Sequence, residues 1–398
     1  MKDFIAQFGL RNVFFITYIF FLLFHMDITT GIFLLYILTF IMERFMKVKL
    51  EFNWCAYIFS ILPGLIVLIG FFILESKHYN LKELEKNLTF FILPIFSIID
   101  LKLIKKLLPK ILLSFFLGIV LLEIISIIIL LVKNDFSIFF NYISIDFNNH
   151  YLSDYVNIHH SYFSLFLSIS LIGILTSYKE IRMNRFLLNL LILFSILYNI
   201  FLFARTSLVV FTILLILIFM KWNKRAVVVA VILCGVFLAL DKNTYTLERI
   251  SINSSTNDIY KRMDLNKVSY DIFKEAPFFG VGPGRIRYER TIRYYETGYV
   301  IAYKNLYNSH NQYLNYLSVN GLFGLLVFLS MLFYMLFVAI KRNQIFLIST
   351  ILLFSISCLT ESYLVRNKGI VLFSFIITIF LIYNIDVFQK CKKKPITN

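Results

Sequence analysis

From residue 12 to residue 387 the sequence is broken into apolar runs of roughly 15 to 21 residues, close to the length that an α-helix needs to cross a hydrocarbon layer. A chain built this way has few choices. A soluble helix would show an apolar stripe, whereas these runs are apolar all round, in a chain that is 59% hydrophobic with mean hydropathy +0.79. The alternating ten-residue pattern of a membrane β-barrel is absent, so the expected class is all-α and polytopic. Spans are expected near residues 12–25, 28–42, 54–74, 88–100, 111–132, 161–177, 186–203, 206–220, 226–240, 321–340, 345–360 and 369–387. That makes about twelve, several of them short enough to require tilt or paired packing.

Basic residues orient the set. With a cytoplasmic N-terminus, more than half of the 39 Lys and Arg fall in the termini and the even-numbered connections, among them Lys102, Lys105, Lys106, Lys179, Arg182, Arg185, Lys221 and Arg225. Both termini are then expected inside, with Lys392, Lys393 and Lys394 near the inner leaflet. Much of the +16 net charge is therefore a topology signal and not a nucleic-acid footprint. No small-residue cleavage site follows the first apolar run, which is expected to remain as a helix. Cys55, Cys234, Cys358 and Cys391 lie in or beside spans and in the tail, a distribution that implies neither a disulfide framework nor a zinc site.

This gives an expected division into helices one to nine over residues 1–240, an outer loop over 241–311 between helices nine and ten, and helices ten to twelve with a basic tail over 312–398. The loop carries the chemistry. Its first part, 243–257, is polar and rich in Ser, Thr and Asn. From Asp258 onward apolar residues recur at helical spacing, and Val268, Ile272 and Phe273 are expected to form one face of an amphipathic helix over the membrane. Pro277 stops that helix. Gly280, Gly282 and Gly284 then permit a tight path leading to Arg285, Arg287, Arg290 and Arg293, of which Arg287 and Arg290, or Arg290 and Arg293, would share a helical face.

Guanidinium groups beside a bilayer suit an anionic lipid headgroup, and His310, just before the tenth span, could take a proton from a hydroxyl. The plainer reading of His310 is a helix cap. Arg205, between two apolar runs, could snorkel or pair with a lipid phosphate. The glycine turn lacks the Lys-Ser or Lys-Thr of a nucleotide loop. His159 and His160 are adjacent, but no further ligand spacing completes a metal site. No Asp-x-Asp pair is present. Glu83-x-Glu85 is the nearest substitute and reads as a solvated turn, so arginines would have to neutralise any diphosphate.

Arg262, then Pro277-Phe278-Phe279-Gly280-Val281-Gly282-Pro283-Gly284, then Ser309-His310-Asn311-Gln312-Tyr313-Leu314, then Gly321-Leu322-Phe323-Gly324, form an ordered set. It resembles the core of the O-antigen ligase and polysaccharide polymerase superfamily. Ala204-Arg205-Thr206 resembles the family's motif after the seventh helix, and Glu361 with Gly369 its penultimate connection. Asn266 departs from the pattern, since many members carry tryptophan there.

The resemblance implies about twelve membrane helices with a large periplasmic loop and a bacterial inner-membrane enzyme active on the outer face. Such an enzyme moves a glycan from an undecaprenyl-diphosphate carrier to a hydroxyl with inversion, using no metal, nucleotide sugar or cofactor. His310 would be the base. Arg205, Arg262 and one of Arg285, Arg287 or Arg290 would hold the diphosphate, with Asn311 beside the substrate. The acceptor, a lipid A core sugar for a ligase or a second carrier-linked repeat for a polymerase, stays open. A lipid-linked oligosaccharide transporter is the rival of another class, disfavoured because the cations crowd a loop and no internal repeat is visible.

Overall fold

The computed structural model describes residues 10–45, 53–73, 85–98, 101–133, 153–202, 204–220 and 258–389. Among these residues every regular element is helical. Helices α1 (Leu10–Phe20), α2 (Met26–Phe45), α3 (Trp54–Ile73), α4 (Thr89–Ile98), α5 (Leu101–Lys133), α6 (His160–Thr176), α7 (Arg185–Phe201) and α8 (Arg205–Met220) occupy the first eight expected spans. The ninth, 226–240, lies outside the described residues, as do 243–257 and Glu83. The loop region holds α9 (Asp258–Glu275), α10 (Ile286–Glu296) and α11 (Val300–Asn305). Helices α12 (Gln312–Lys341), α13 (Ile345–Ser357) and α14 (Asn367–Tyr383) follow, then the short α15 (Ile385–Gln389). Three helices, over Trp54–Phe72, Ile104–Lys133 and Gln312–Lys341, are long and apolar enough to cross a bilayer; the remainder of the apolar set is shorter.

The chain forms two compact units. In the first, drawn from 1–57, 95–211 and 378–398, α1 packs on α2 and α5, and α5 on α6 and α7. Gly118 of α5 admits the end of α1, because a Cβ there would lie 1.9 Å from the Phe20 carbonyl oxygen. A buried polar seam joins its helices: Ser195 donates to Glu123 at 2.8 Å, and Ser164 donates to Asn199, which in turn donates to Ser168. The hydroxyls of Ser126 and Tyr198 meet at 2.6 Å. Such groups are tolerated in an apolar interior because each bond satisfies atoms that no solvent reaches.

The second unit, 58–94 and 212–377, contains the loop helices. Leu265, Val268 and Ile272 of α9 bury against Ile286, Tyr294, Ala302 and Val319, giving the loop a hydrophobic core of its own. This corrects the face expected for α9. Leu265 joins Val268 and Ile272, the three turn into this core, and Phe273 is only half-buried, against Tyr270.

Helix α12 begins nine residues before the expected span. The early turns carry Gln312, Asn315, Ser318 and Asn320, which lower hydropathy yet are buried. The helix is broken at Gly321, whose φ of 65° and ψ of −166° are accessible essentially to glycine alone. In an unbroken helix the Leu322 and Phe323 amides would donate to the carbonyls of Ser318 and Val319. Here the 277–282 turn takes both places. Leu322 donates to Pro277 O at 2.8 Å and Phe323 to Phe278 O at 3.1 Å, while Val281 and Gly282 donate to Ser318 O and Val319 O at 3.0 and 2.9 Å. The break thus leaves none of the four groups unsatisfied. Gly280 is required as well, since it has φ 71° and a Cβ would lie 2.4 Å from Val319 backbone atoms. The two glycine motifs, separate in sequence, form one backbone clasp.

Several ends of helices meet on one side of this unit. The end of α3 lies beside the turn, a Cβ at Gly70 falling 3.2 Å from Pro283. Lys86, just before α4, donates to Val365 O just before α14, and Gln312 N at the start of α12 donates to Cys358 O at the end of α13. The Lys341-Arg342 turn lies at the far end of α12.

Candidate active site

Two segments converge on the connection Thr360-Glu361-Ser362, and a third is fastened to the start of α12. The first is the stretch before α12, where each side chain has a task. Asn308 Oδ1 accepts from His310 N at 2.8 Å, holding His310 at φ 45°, a left-handed conformation uncommon outside glycine. Ser309, fully buried, donates to Asn311 O at 2.7 Å, and its hydroxyl meets that of Ser362 at 3.1 Å. Asn311 caps α12, its Oδ1 accepting from Tyr313 N and Leu314 N at 3.0 and 3.1 Å, and its N–H donates to Ser362. Capping therefore falls to Asn311 and leaves the imidazole of His310 for other work.

That imidazole meets a carboxylate. His310 Nδ1 lies 3.1 Å from Glu361 Oε2, with the side chains 24% and 6% exposed. Ser362 N donates to Glu361 Oε1 at 3.1 Å, fixing the carboxylate in turn. An ionised carboxylate at Nδ1 selects the tautomer with its proton there, so Nε2 presents a lone pair. The Tyr307 ring stands edge-on to the imidazole at 5.8 Å. Glu361 was visible in the sequence as part of the penultimate connection, but no role followed for it. The available signal was physical: a carboxylate at the end of an apolar run is expensive unless it has a partner.

The second segment is the first half of α9, which brings exposed Arg262 to Thr360 O, a long contact of 3.4 Å. Arg262 and His310 are thereby attached to adjacent positions of one short connection, although 48 residues separate them in sequence.

The third is α10. Arg290 is buried and donates through Nη2 to Asn315 Oδ1 at 3.0 Å and Ser318 Oγ at 3.1 Å. Asn315 is one turn, about 6 Å, along α12 from Asn311, so α10 is pinned beside the histidine end of that helix. Arg293 pairs with Glu275, and Arg285 with Glu289 at 2.6 Å. Lys274 donates to Asp271 at 2.9 Å, a bond that lowers the Asp271 pKa and raises that of Lys274. Arg287 is exposed, and among the described residues it has no carboxylate partner.

The shared faces expected for Arg287, Arg290 and Arg293 are thus divided: Arg290 and Arg293 fasten the cap formed by helices α9 to α11, while Arg262 and Arg287 stand toward solvent. Arg205 opens α8 in the other unit, and its side chain lies outside the described ones. The rings of His159 and His160, tilted to one another, lie 4.2 Å apart in that unit as well. No group of three His, Cys, Asp or Glu with metal-binding geometry occurs among the described residues.

Residues 189–329 match the family model of the O-antigen ligase. The matched stretch takes in Arg205, Arg262, the clasp and His310, and ends before Glu361. No curated protein matches the chain.

Proposed function

From the premise of an O-antigen ligase domain at residues 189–329, we propose that this protein transfers a glycan from undecaprenyl diphosphate to a hydroxyl acceptor during surface polysaccharide synthesis. The observation that carries the proposal is the Glu361-His310 pair with Arg262 fastened to the same connection. The acceptor hydroxyl attacks the anomeric carbon, its proton passes to His310 Nε2, and the bond from that carbon to the phosphate oxygen breaks with inversion. The electron pair leaves with the diphosphate.

Glu361 holds the imidazole in the receptive tautomer and steadies the imidazolium that forms. Arg262 and Arg287, with Arg285 beside them, neutralise the charge that grows on the departing diphosphate, a task that planar guanidinium forks perform through paired hydrogen bonds. Arg290 acts by fastening α10, and Asn311 by starting α12 at the correct place. Arg205 is proposed as a further diphosphate ligand on the strength of its family-like Ala204-Arg205-Thr206 motif. The reaction needs no metal or other cofactor in this scheme. In this reading the protein works in a bacterial inner membrane, with both termini cytoplasmic and the site on the outer face. A polymerase that adds the glycan to a second carrier-linked repeat would use the same chemistry.

Purified protein in lipid, given undecaprenyl-diphosphate glycan, EDTA and either a lipid A core or a second carrier-linked repeat, tests the scheme. Transfer should persist with chelator and vanish in His310→Ala at normal membrane level. Loss with EDTA would remove the metal-free scheme, and full activity in the variant would remove the base. Product size separates one transfer from polymerisation.

A further inference from the structure

We infer that the Phe278-Phe279 turn is a membrane-inserted lip, seated among the acyl chains at the outer hydrocarbon edge, that sets the height of the arginine-bearing helix α10. This rests on the membrane reading of the chain and not on the reaction proposed above.

The argument begins with α12. From Leu322 to Ile340 it is uncharged, and at about 1.5 Å per residue it rises about 28 Å, close to the roughly 30 Å of a hydrocarbon core. Lys341 and Arg342 mark one end of this stretch and Gly321 the other. Phe323, Leu326, Phe333, Phe337 and Ile340 are exposed along it, as lipid-facing side chains are. Gly321 therefore sits at the hydrocarbon boundary.

The clasp transfers that level to the turn. Leu322 and Phe323 donate to the carbonyls of Pro277 and Phe278, so Phe278 and Phe279 are held at the same depth as the first residues of the span. Their side chains point outward, Phe278 72% and Phe279 50% exposed, and the Phe279 ring lies 5.9 Å from that of lipid-facing Phe323. Two exposed phenyl groups continuous with a lipid-facing stripe, and level with its end, match acyl chains and not water or a protein surface. Burying them would stabilise the seat without fixing any partner's identity.

The consequence concerns height. Gly282 is bonded to Val319, two residues above Gly321, and Arg285 N donates to Gly282 O at 3.3 Å. Arg285 and the start of α10 then lie just above the hydrocarbon edge, at the level of the phosphate-bearing layer, which is roughly 5 to 8 Å thick on each side. The lip keeps the cap from riding above that layer.

Phe279→Trp in full-length protein reconstituted into bilayers provides the test, with emission read as the difference from unsubstituted protein because Trp54 and Trp222 also emit. Lipids bearing a nitroxide near the glycerol end of the acyl chain should quench it more than lipids labelled near the terminal methyl, and aqueous iodide should quench it little. Strong iodide quenching without nitroxide quenching would place the turn in water and overturn the inference. Deepest quenching by the terminal label would overturn the level argument. Neither readout depends on transfer activity, so the reaction scheme and the lip can fail separately.

Discussion

Replacing Gly321 by alanine should loosen the clasp and with it the arginine helix. Alanine at φ 65°, ψ −166° incurs roughly 1 to 3 kcal/mol of backbone strain. Its Cβ would also stand 2.4 Å from the Phe278 carbonyl carbon and oxygen and 2.5 Å from Phe279 N. Backbone atoms cannot swing aside like a side chain, so relief requires the turn to retreat and the Leu322 and Phe323 bonds to lengthen, about 1 kcal/mol each. The sum, about 3 to 5 kcal/mol, corresponds to opening favoured roughly 100-fold to several thousandfold, since about 1.4 kcal/mol is a factor of ten.

Hydrogen exchange at the Val281, Gly282, Leu322 and Phe323 amides reads that opening directly, with glycan transfer measured in parallel. Gly298→Ala is the control: it has φ 70° but open space around the added carbon, so it meets strain without collision. Unchanged exchange at the four amides in correctly inserted Gly321→Ala protein would refute the clasp as the holder of the turn. Equal acceleration of those amides by Gly298→Ala would refute the steric part.

Other expectations follow from the partners of single side chains. Glu361→Gln keeps the size of the side chain but removes its charge, and should lower kcat on the order of 10²- to 10⁴-fold with little change in KM; an unaltered kcat would show that His310 works alone. Arg262→Lys, a point charge in place of a fork, should lose on the order of 10²-fold in transfer at normal expression, measured with saturating acceptor. Arg290→Met strips two hydrogen bonds from a buried guanidinium and should destabilise the cap by about 3 kcal/mol, visible as faster proteolysis of the 258–311 region. Arg287→Met should leave proteolysis within experimental scatter while reducing transfer, and the reverse pattern would exchange the two roles.

The helices were legible because hydropathy acts over whole turns and needs no partner to be specified. Where a helix carries its polar residues inward, that signal fails, and residues 312–320 of α12 therefore fall outside the span expected near 321–340. The clasp was unreadable for a different reason: its bonds join backbone groups, and side-chain sequence records only the glycines that allow the approach. In the sequence Gly280 belongs to a tight turn and Gly321 to the start of a span, with nothing to link them, whereas each is small because the other segment's backbone occupies its missing Cβ position.

Charge raises the same problem in a form that bears on mechanism. Arg285, Arg287, Arg290 and Arg293 are alike in sequence and differ only in what they meet: Glu289, solvent, Asn315 with Ser318, and Glu275. A guanidinium already bonded to a fixed carboxylate has its charge offset and part of its fork occupied, so it gives less to a departing diphosphate than an exposed one. The same reasoning singles out His310, because Asn311 supplies the helix cap that the plainer reading assigns to the histidine. With capping done by the neighbour and Nδ1 held by Glu361, the geometry leaves Nε2 as the position at which this chain can accept a proton.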